Sequence, residues 1–220
     1  MRENSLILWY SWVIVGFLLG SIMFSRLLPK LLKGKDITKD APDRNPGAAN
    51  VFATCGIAMG LLCLGLDMLK GFLPVFMACQ RLDVSRMLFA AVMIAPVLGH
   101  AVGLFNRFHG GKCIATAFGV LLALLPISRI VLLLAGLYIF FSVGVKIKPN
   151  RYRSILVFTL FGVVSVAYFL LHGQQSLAVG CGMLAVIGVV KHTRWFSVVP
   201  ADEGAEDNAP VAEESRHSDR

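Results

Sequence analysis

The chain has 220 residues, of which 56% are hydrophobic; its mean hydropathy is +0.72 and its formal charge is +8. Soluble domains rarely reach such values, and the apolar residues gather into runs near the ~20 residues a helix needs to cross a bilayer. The composition excludes a water-soluble enzyme and points to an all-α, polytopic membrane protein.

Seven spans are expected, at roughly residues 5–28, 51–79, 86–105, 113–128, 129–145, 154–172 and 174–191. The first is too long and too apolar for a cleaved signal peptide, and no small-residue cleavage pattern follows it. The second is long and interrupted by Asp67 and Lys70, and Gly65, Gly71 and Pro74 are candidate break points within it. Residues 1–199 form one membrane domain. The tail from 200 to 220 holds seven acidic and two basic residues and is expected to be disordered and solvated, leaving 19 basic and six acidic residues in the membrane body. Such a basic excess serves topology and also suits an anionic substrate. One set of loops, with the C-terminus, carries the basic residues from Arg26 to Arg44, then Arg107, Lys112, Lys146, Lys148, Arg151, Arg153, Lys191 and Arg194; the other carries only Arg2, Arg81, Arg86 and Arg129. The positive-inside rule then places the N-terminus outside and the C-terminus in the cytoplasm, as an odd number of spans requires.

Small residues recur at four-residue spacing, as Gly16/Gly20 and Gly56/Gly60, which allows close helix packing. The five cysteines lack metal-ligand spacing and are expected to pack as small apolar residues. No internal repeat is evident.

Four polar segments could carry chemistry. In residues 34–50, "GKDITKDAPDRNPGAAN", Lys39, Arg44, Asn45 and Asn50 offer donors, Pro46 and Gly47 form a turn, and Asn50 is placed to cap the second helix. An ordinary loop with a helix cap explains the same residues. In residues 108–112, "FHGGK", two glycines free backbone N–H groups, Lys112 adds a point charge, and a helix begins near Cys113. That combination suits a phosphate, although it lacks the spacing of a nucleotide-binding P-loop. His100 ends the third span nearby, where a structural, hydrogen-bonded histidine is the plainer reading. Asp67 and Lys70, three apart on one helix face, are expected to pair within the bundle. The last segment, "KHTRWF" at 191–196, reads as an interfacial belt that also offers His192.

In order along residues 16–195, Gly20-Ser21-Ile22, "GKDI", "NPGAANVF", "LDMLKG", "GH", "FHGGKCIATAFG" and His192 resemble the acyl-phosphate:glycerol-3-phosphate acyltransferases of bacterial phospholipid synthesis. The resemblance implies a seven-helix domain in the bacterial cytoplasmic membrane with its active site facing the cytoplasm. It implies transfer of a fatty acyl group from acyl phosphate to glycerol 3-phosphate, giving 1-acyl-glycerol 3-phosphate and phosphate. It implies no metal, no dissociable cofactor and no nucleic acid; the partners are the two substrates and membrane lipids, and a monomer is expected. His100, Asn50 and Asn45 are the candidate catalytic groups. Arg44, Gly47, Ala48, Gly110, Gly111, Lys112 and His192 are the candidate substrate- and phosphate-binding residues.

The chain departs from the family pattern at several places. Asp43 stands where a serine is usual, Ala49 where a threonine is, and Ala53 where an arginine is; Arg44 is a candidate substitute for that arginine. His109 replaces a lysine, Cys113 a glycine, and Arg194 and Trp195 a glutamate and an asparagine. The anionic Asp43 opposes phosphate binding unless Arg44 or a lysine neutralises it. Two other functions stay open on these residues: a catalytically impaired relative that binds a phospholipid or a partner, and a small organic-phosphate transporter.

Overall fold

The computed structural model describes residues 5–41 and 43–193. The acidic tail, Arg194 and Trp195 lie outside them. Among the described residues the chain is all helical. Ten α-helices run in the order α1 (Leu6–Gly20), α2 (Phe24–Lys33), α3 (Ile37–Asp40), α4 (Ala48–Cys55), α5 (Ile57–Arg81), α6 (Leu88–Val102), α7 (Ile114–Ala123), α8 (Val131–Ile139), α9 (Asn150–Leu171) and α10 (Gln175–His192). A π-helical turn, Phe140–Gly144, extends α8, and a 3-10 turn, Leu104–Asn106, follows α6. Four helices, α5, α6 with its 3-10 extension, α9 and α10, are long and apolar enough to span a membrane, and α1 with α2 makes a fifth candidate bent by 44°. Helices α7 and α8 are apolar but shorter.

The helices pack through small residues because lipid supplies no hydrophobic force between them, so association depends on close contact. A Cβ on Gly20 would sit 2.1 Å from the Pro96 carbonyl oxygen, and one on Gly99 would sit 2.1 Å from that of Phe17; α1 and α6 therefore cross backbone to backbone. Helices α5 and α7 repeat the device with Gly71 against Thr116 and Gly119 against Met68. The buried core joins Trp9, Phe89, Met93, Leu121, Leu134, Phe158 and Phe161. The outward faces are apolar too: Ile7, Leu132, Val163 and Leu171 are each at least 60% exposed, as a lipid-facing surface requires.

Two expected spans are interrupted. The first stops at Gly20, where the Ser21 hydroxyl donates to the carbonyls of Phe17 at 2.8 Å and Gly99 at 3.2 Å, and the chain leaves the helix at Met23 (φ −92°, ψ 78°) before resuming as α2. Helix α2 is amphipathic, with Leu27, Leu31 and Leu32 exposed beside Lys30 and Lys33. The second span breaks at Gly56 (φ 86°, ψ 174°), a conformation closed to residues with a Cβ. The break falls there and not at Gly65, Gly71 or Pro74, all of which lie inside an unbroken α5. Gly56/Gly60 is thus a hairpin rather than a span–span contact: Gly60 leaves room for the Phe52 ring of α4. The carbonyls freed at the end of α4 are met by Lys33, which donates to Cys55 O at 2.7 Å, and Lys35, which donates to Thr54 O at 3.1 Å.

Four of the cysteines, Cys55, Cys63, Cys113 and Cys181, are buried, and Cys79 is half-buried.

Candidate active site at the meeting of two loops

Two loops far apart in sequence converge. The first runs from Asp36 to the start of α4. Asp36 caps α3, accepting from the Thr38 backbone N–H at 3.2 Å and its hydroxyl at 2.7 Å. It also pairs with Arg26 of α2 at 3.3 Å. The Thr38 hydroxyl, helped by Arg26, holds the Asp36 carboxyl down at about 2. Arg26 donates in addition to the side-chain oxygen of Asn106, whose amide donates to the His109 carbonyl at 2.5 Å, so α2 is tied to the second loop. Ile22, Met23, Arg26, Leu27, Lys30, Asp36, Lys39, Phe105, Asn106 and Arg107 line a cleft of 490 Å³ between them.

Further along, Arg44 takes a left-handed φ of 48° and Gly47 precedes the first residue of α4, Ala48. Asn50 therefore lies inside the first turn of α4 and does not cap it. Its amide nitrogen reaches back across the turn, donating to the Asn45 carbonyl at 2.8 Å and to the Asp43 carboxylate at 2.7 Å. A Cβ on Gly47 would meet the side-chain amide nitrogen of Asn45 at 2.5 Å, so the Asn45 side chain would have to turn aside to admit a larger residue.

The second loop leads into α7. Gly103, Arg107, Phe108 and Cys113 all have positive φ, a sharply folded path that returns Gly111 to the end of α6, where its N–H donates to the His100 carbonyl at 3.0 Å. The His100 ring is 4% exposed and packs on Gly111, where an added Cβ would meet Nε2 at 2.3 Å. Gly110 passes as closely over the Ala101 carbonyl, a group that also accepts from Lys191 at 3.0 Å. His100 is thus buried against the loop's inner side. His192 is buried at the end of α10, with Nδ1 donating to Gly188 O at 2.7 Å and its ring 6.0 Å from that of Phe158.

The loops meet at Asp43 and Lys112, 2.8 Å apart and each about 30% exposed in its side chain. The carboxylate accepts from Lys112 through Oδ2, and from the Asn50 amide and the Asn45 backbone N–H through Oδ1. Burial alone would raise the Asp43 carboxyl, but Lys112 and the two asparagine donors outweigh it and hold it below the usual carboxylate range. The cation that neutralises Asp43 is Lys112, not the exposed Arg44.

The structure brings Asn45, Asn50, Gly47, Ala48, Gly110, Gly111 and Lys112 to one place, with His100 beneath it; Arg44 is exposed at the rim. Arg26, Asp36 and Asn106 were not singled out from sequence, because nothing local signals a hydrogen bond between residues 80 positions apart. Among the described residues no group of three or more His, Cys, Asp and Glu side chains could hold a metal ion.

A family model described as glycerol-3-phosphate acyltransferase matches residues 10–199. Glycerol-3-phosphate acyltransferase 2 of Thermotoga maritima is 35% identical over 189 residues, covering 84% of this chain and 89% of that protein. The glycerol-3-phosphate acyltransferase of Hydrogenobaculum sp. is 36% identical over 182 residues, covering 81% and 87%. Two crystal structures of PlsY, an integral membrane glycerol 3-phosphate acyltransferase, share the fold. Its lysophosphatidic acid form superposes with a TM-score of 0.70 at 28% identity, and its glycerol 3-phosphate form with 0.69 at 29%, each covering 84% of this chain. With a helical membrane bundle, two converging anion-suited loops and a family match over nearly all of the described residues, this chain belongs to the glycerol-3-phosphate acyltransferase family.

Proposed function

We propose that this protein transfers a fatty acyl group from acyl phosphate to a hydroxyl of glycerol 3-phosphate, forming 1-acyl-glycerol 3-phosphate and inorganic phosphate for phospholipid synthesis. The observation that carries the reading is the convergence of Lys112 and Asn50, from the two loops, on one anionic group. Both substrates bring a phosphate, and this is a place built to hold one. Gly110 and Lys112 lie just ahead of α7, whose N-terminal dipole favours an anion, while Gly111, its N–H bonded to the His100 carbonyl, fixes the path of the loop.

In the reaction, the acceptor hydroxyl adds to the acyl carbonyl, the acyl–phosphate bond breaks, and the hydroxyl proton leaves with the departing phosphate. A phosphate that takes up this proton needs no protein base with a tuned pKa. The burden on the protein is then to orient two anions and to donate hydrogen bonds to the oxyanion of the tetrahedral transition state. Lys112 with Gly110 holds a phosphate on the loop whose path Gly111 fixes; Asn45 and Asn50 position the acceptor or polarise the acyl carbonyl; Gly47 and Ala48 let the substrate approach the start of α4. His100, packed under Gly111, is best suited to holding the phosphate loop in place, and His192 supports the same end of the bundle. No metal or dissociable cofactor enters this scheme.

The basic loops favour a cytoplasmic face for the site, an outside N-terminus and residence in a bacterial inner membrane. Seven passes follow if α1, α5, α6, α7, α8, α9 and α10 each cross, the shorter α7 and α8 included. A monomer suffices, since both loops belong to one chain.

Purified protein is given palmitoyl phosphate with and without glycerol 3-phosphate, and phosphate release and acyl product are followed. Acceptor-dependent release in wild type that falls at least ~100-fold in Lys112→Ala supports the proposal. Folded protein that binds substrates without turnover would instead favour the impaired relative, a reading to which the filled anion pocket at Asp43 lends support.

A further inference from the structure

The donors best placed to hold a substrate phosphate are already engaged by the chain itself. Lys112 Nζ is 2.8 Å from one oxygen of Asp43, and the other oxygen accepts from the Asn50 amide at 2.7 Å and the Asn45 N–H at 3.1 Å. These are the charge-assisted contacts a phosphate oxygen would make. The resident carboxylate also cancels the charge of Lys112. It is not locked in: both side chains keep about 30% of their surface exposed, so the pair can open to solvent.

We infer that Asp43 is a specificity-determining residue, a resident anion that an incoming phosphate must displace from Lys112 and the two asparagines. Displacement leaves two anions side by side, which disfavours a phosphate but leaves an uncharged polyol untouched. Asp43 therefore narrows the preference for glycerol 3-phosphate over an unphosphorylated acceptor such as glycerol. It does so without occupying the reacting carbonyl or hydroxyl, so it sets which acceptor binds and not whether acyl transfer occurs. The inference rests on the acyl-transfer reading for its kinetic consequence and on geometry alone for its binding consequence.

The test compares the full-length wild type with Asp43→Ser and Asp43→Asn in detergent. Asparagine keeps the size and an acceptor oxygen for Asn50 and Asn45 while removing the charge, and a thermal unfolding scan checks that each variant is folded. Calorimetric titration with inorganic phosphate and with glycerol 3-phosphate forms the first arm. Both variants are expected to bind phosphate at least tenfold more tightly than wild type. The second arm measures kcat/KM with palmitoyl phosphate for glycerol 3-phosphate and for glycerol. Their ratio is expected to rise at least tenfold in Asp43→Asn, chiefly through KM. Unchanged or weaker phosphate binding in the folded variants overturns the inference, as does an equal loss of kcat for both acceptors, which would put Asp43 in the chemistry. If wild type turns over neither acceptor, the acyl-transfer reading fails and the phosphate titration still decides the role of Asp43.

Discussion

Two lysine–aspartate pairs in this chain share a nitrogen–oxygen distance of 2.8 Å and differ in their surroundings. Asp67 and Lys70 are 2% exposed, three residues apart on α5 and deep in the bundle. Ser25 donates to the same aspartate at 2.5 Å, and Lys70 donates to the Ile22 carbonyl left free where α1 gives way to α2. Every charge there has a partner, and the pair pins a break in the first apolar run. Asp43 and Lys112 come from loops 69 residues apart and remain partly open to solvent. Burial makes the first pair part of the structure, because neither charge tolerates separation; exposure leaves both charges of the second within reach of water, so they can part at little cost.

The comparison breaks most visibly at α5. Asp67→Ala leaves Lys70 buried and unpaired, a loss of about 3–5 kcal/mol. Very little folded protein should be recovered from membranes, as size-exclusion profiles and thermal unfolding in detergent would show. Asp43→Asn removes a pair of equal length and should cost about 1 kcal/mol or less. If the two variants unfolded alike, the distinction drawn from burial would be wrong.

Gly111→Ala probes the support beneath the second pair. Its Cβ would lie 2.3 Å from His100 Nε2, so ring or loop must move, at about 1–3 kcal/mol. Phosphate affinity should fall about tenfold with the bundle intact, and restoring room with His100→Ala in the double variant should recover part of that loss. Non-additive phosphate affinities across the four proteins would register the contact; strict additivity would deny it.

The smallest effect concerns pH. Because the Asp43 carboxyl is lowered in the folded protein, its contribution to joining the loops is present above the unfolded value of 3.8 and fades as pH falls through the lowered value. Loop protection in hydrogen exchange should be level from neutrality to about pH 4 and decline only below that, and the decline should be absent in Asp43→Asn.

Much of the candidate site was legible in sequence because its signals are local. A Gly-Gly-Lys turn ahead of an apolar run predicts a helix N-terminus beside a cation, and α7 begins at Ile114. Asp67 and Lys70 at helical spacing predict a pair. Asn50 misled, since an asparagine ahead of an apolar run looks like a cap; the break at Gly56 creates the separate short helix α4, and Asn50 falls within its first turn. Lys33 and Lys35 read as topology charges, yet they hold the end of α4, because only the hairpin at Gly56 brings that end to them.

The sequence by itself determined the all-α membrane class, the approximate order of apolar runs and the two loops suited to anions, since hydropathy, periodicity and turn residues act over a few neighbours. Tertiary structure alone decided where the runs break, that Arg26 ties α2 to the second loop, that His100 lies beneath Gly111, and which cation neutralises Asp43. Those outcomes depend on long-range approach, and a carboxylate placed between two possible cations takes the one the fold brings within 2.8 Å, here Lys112.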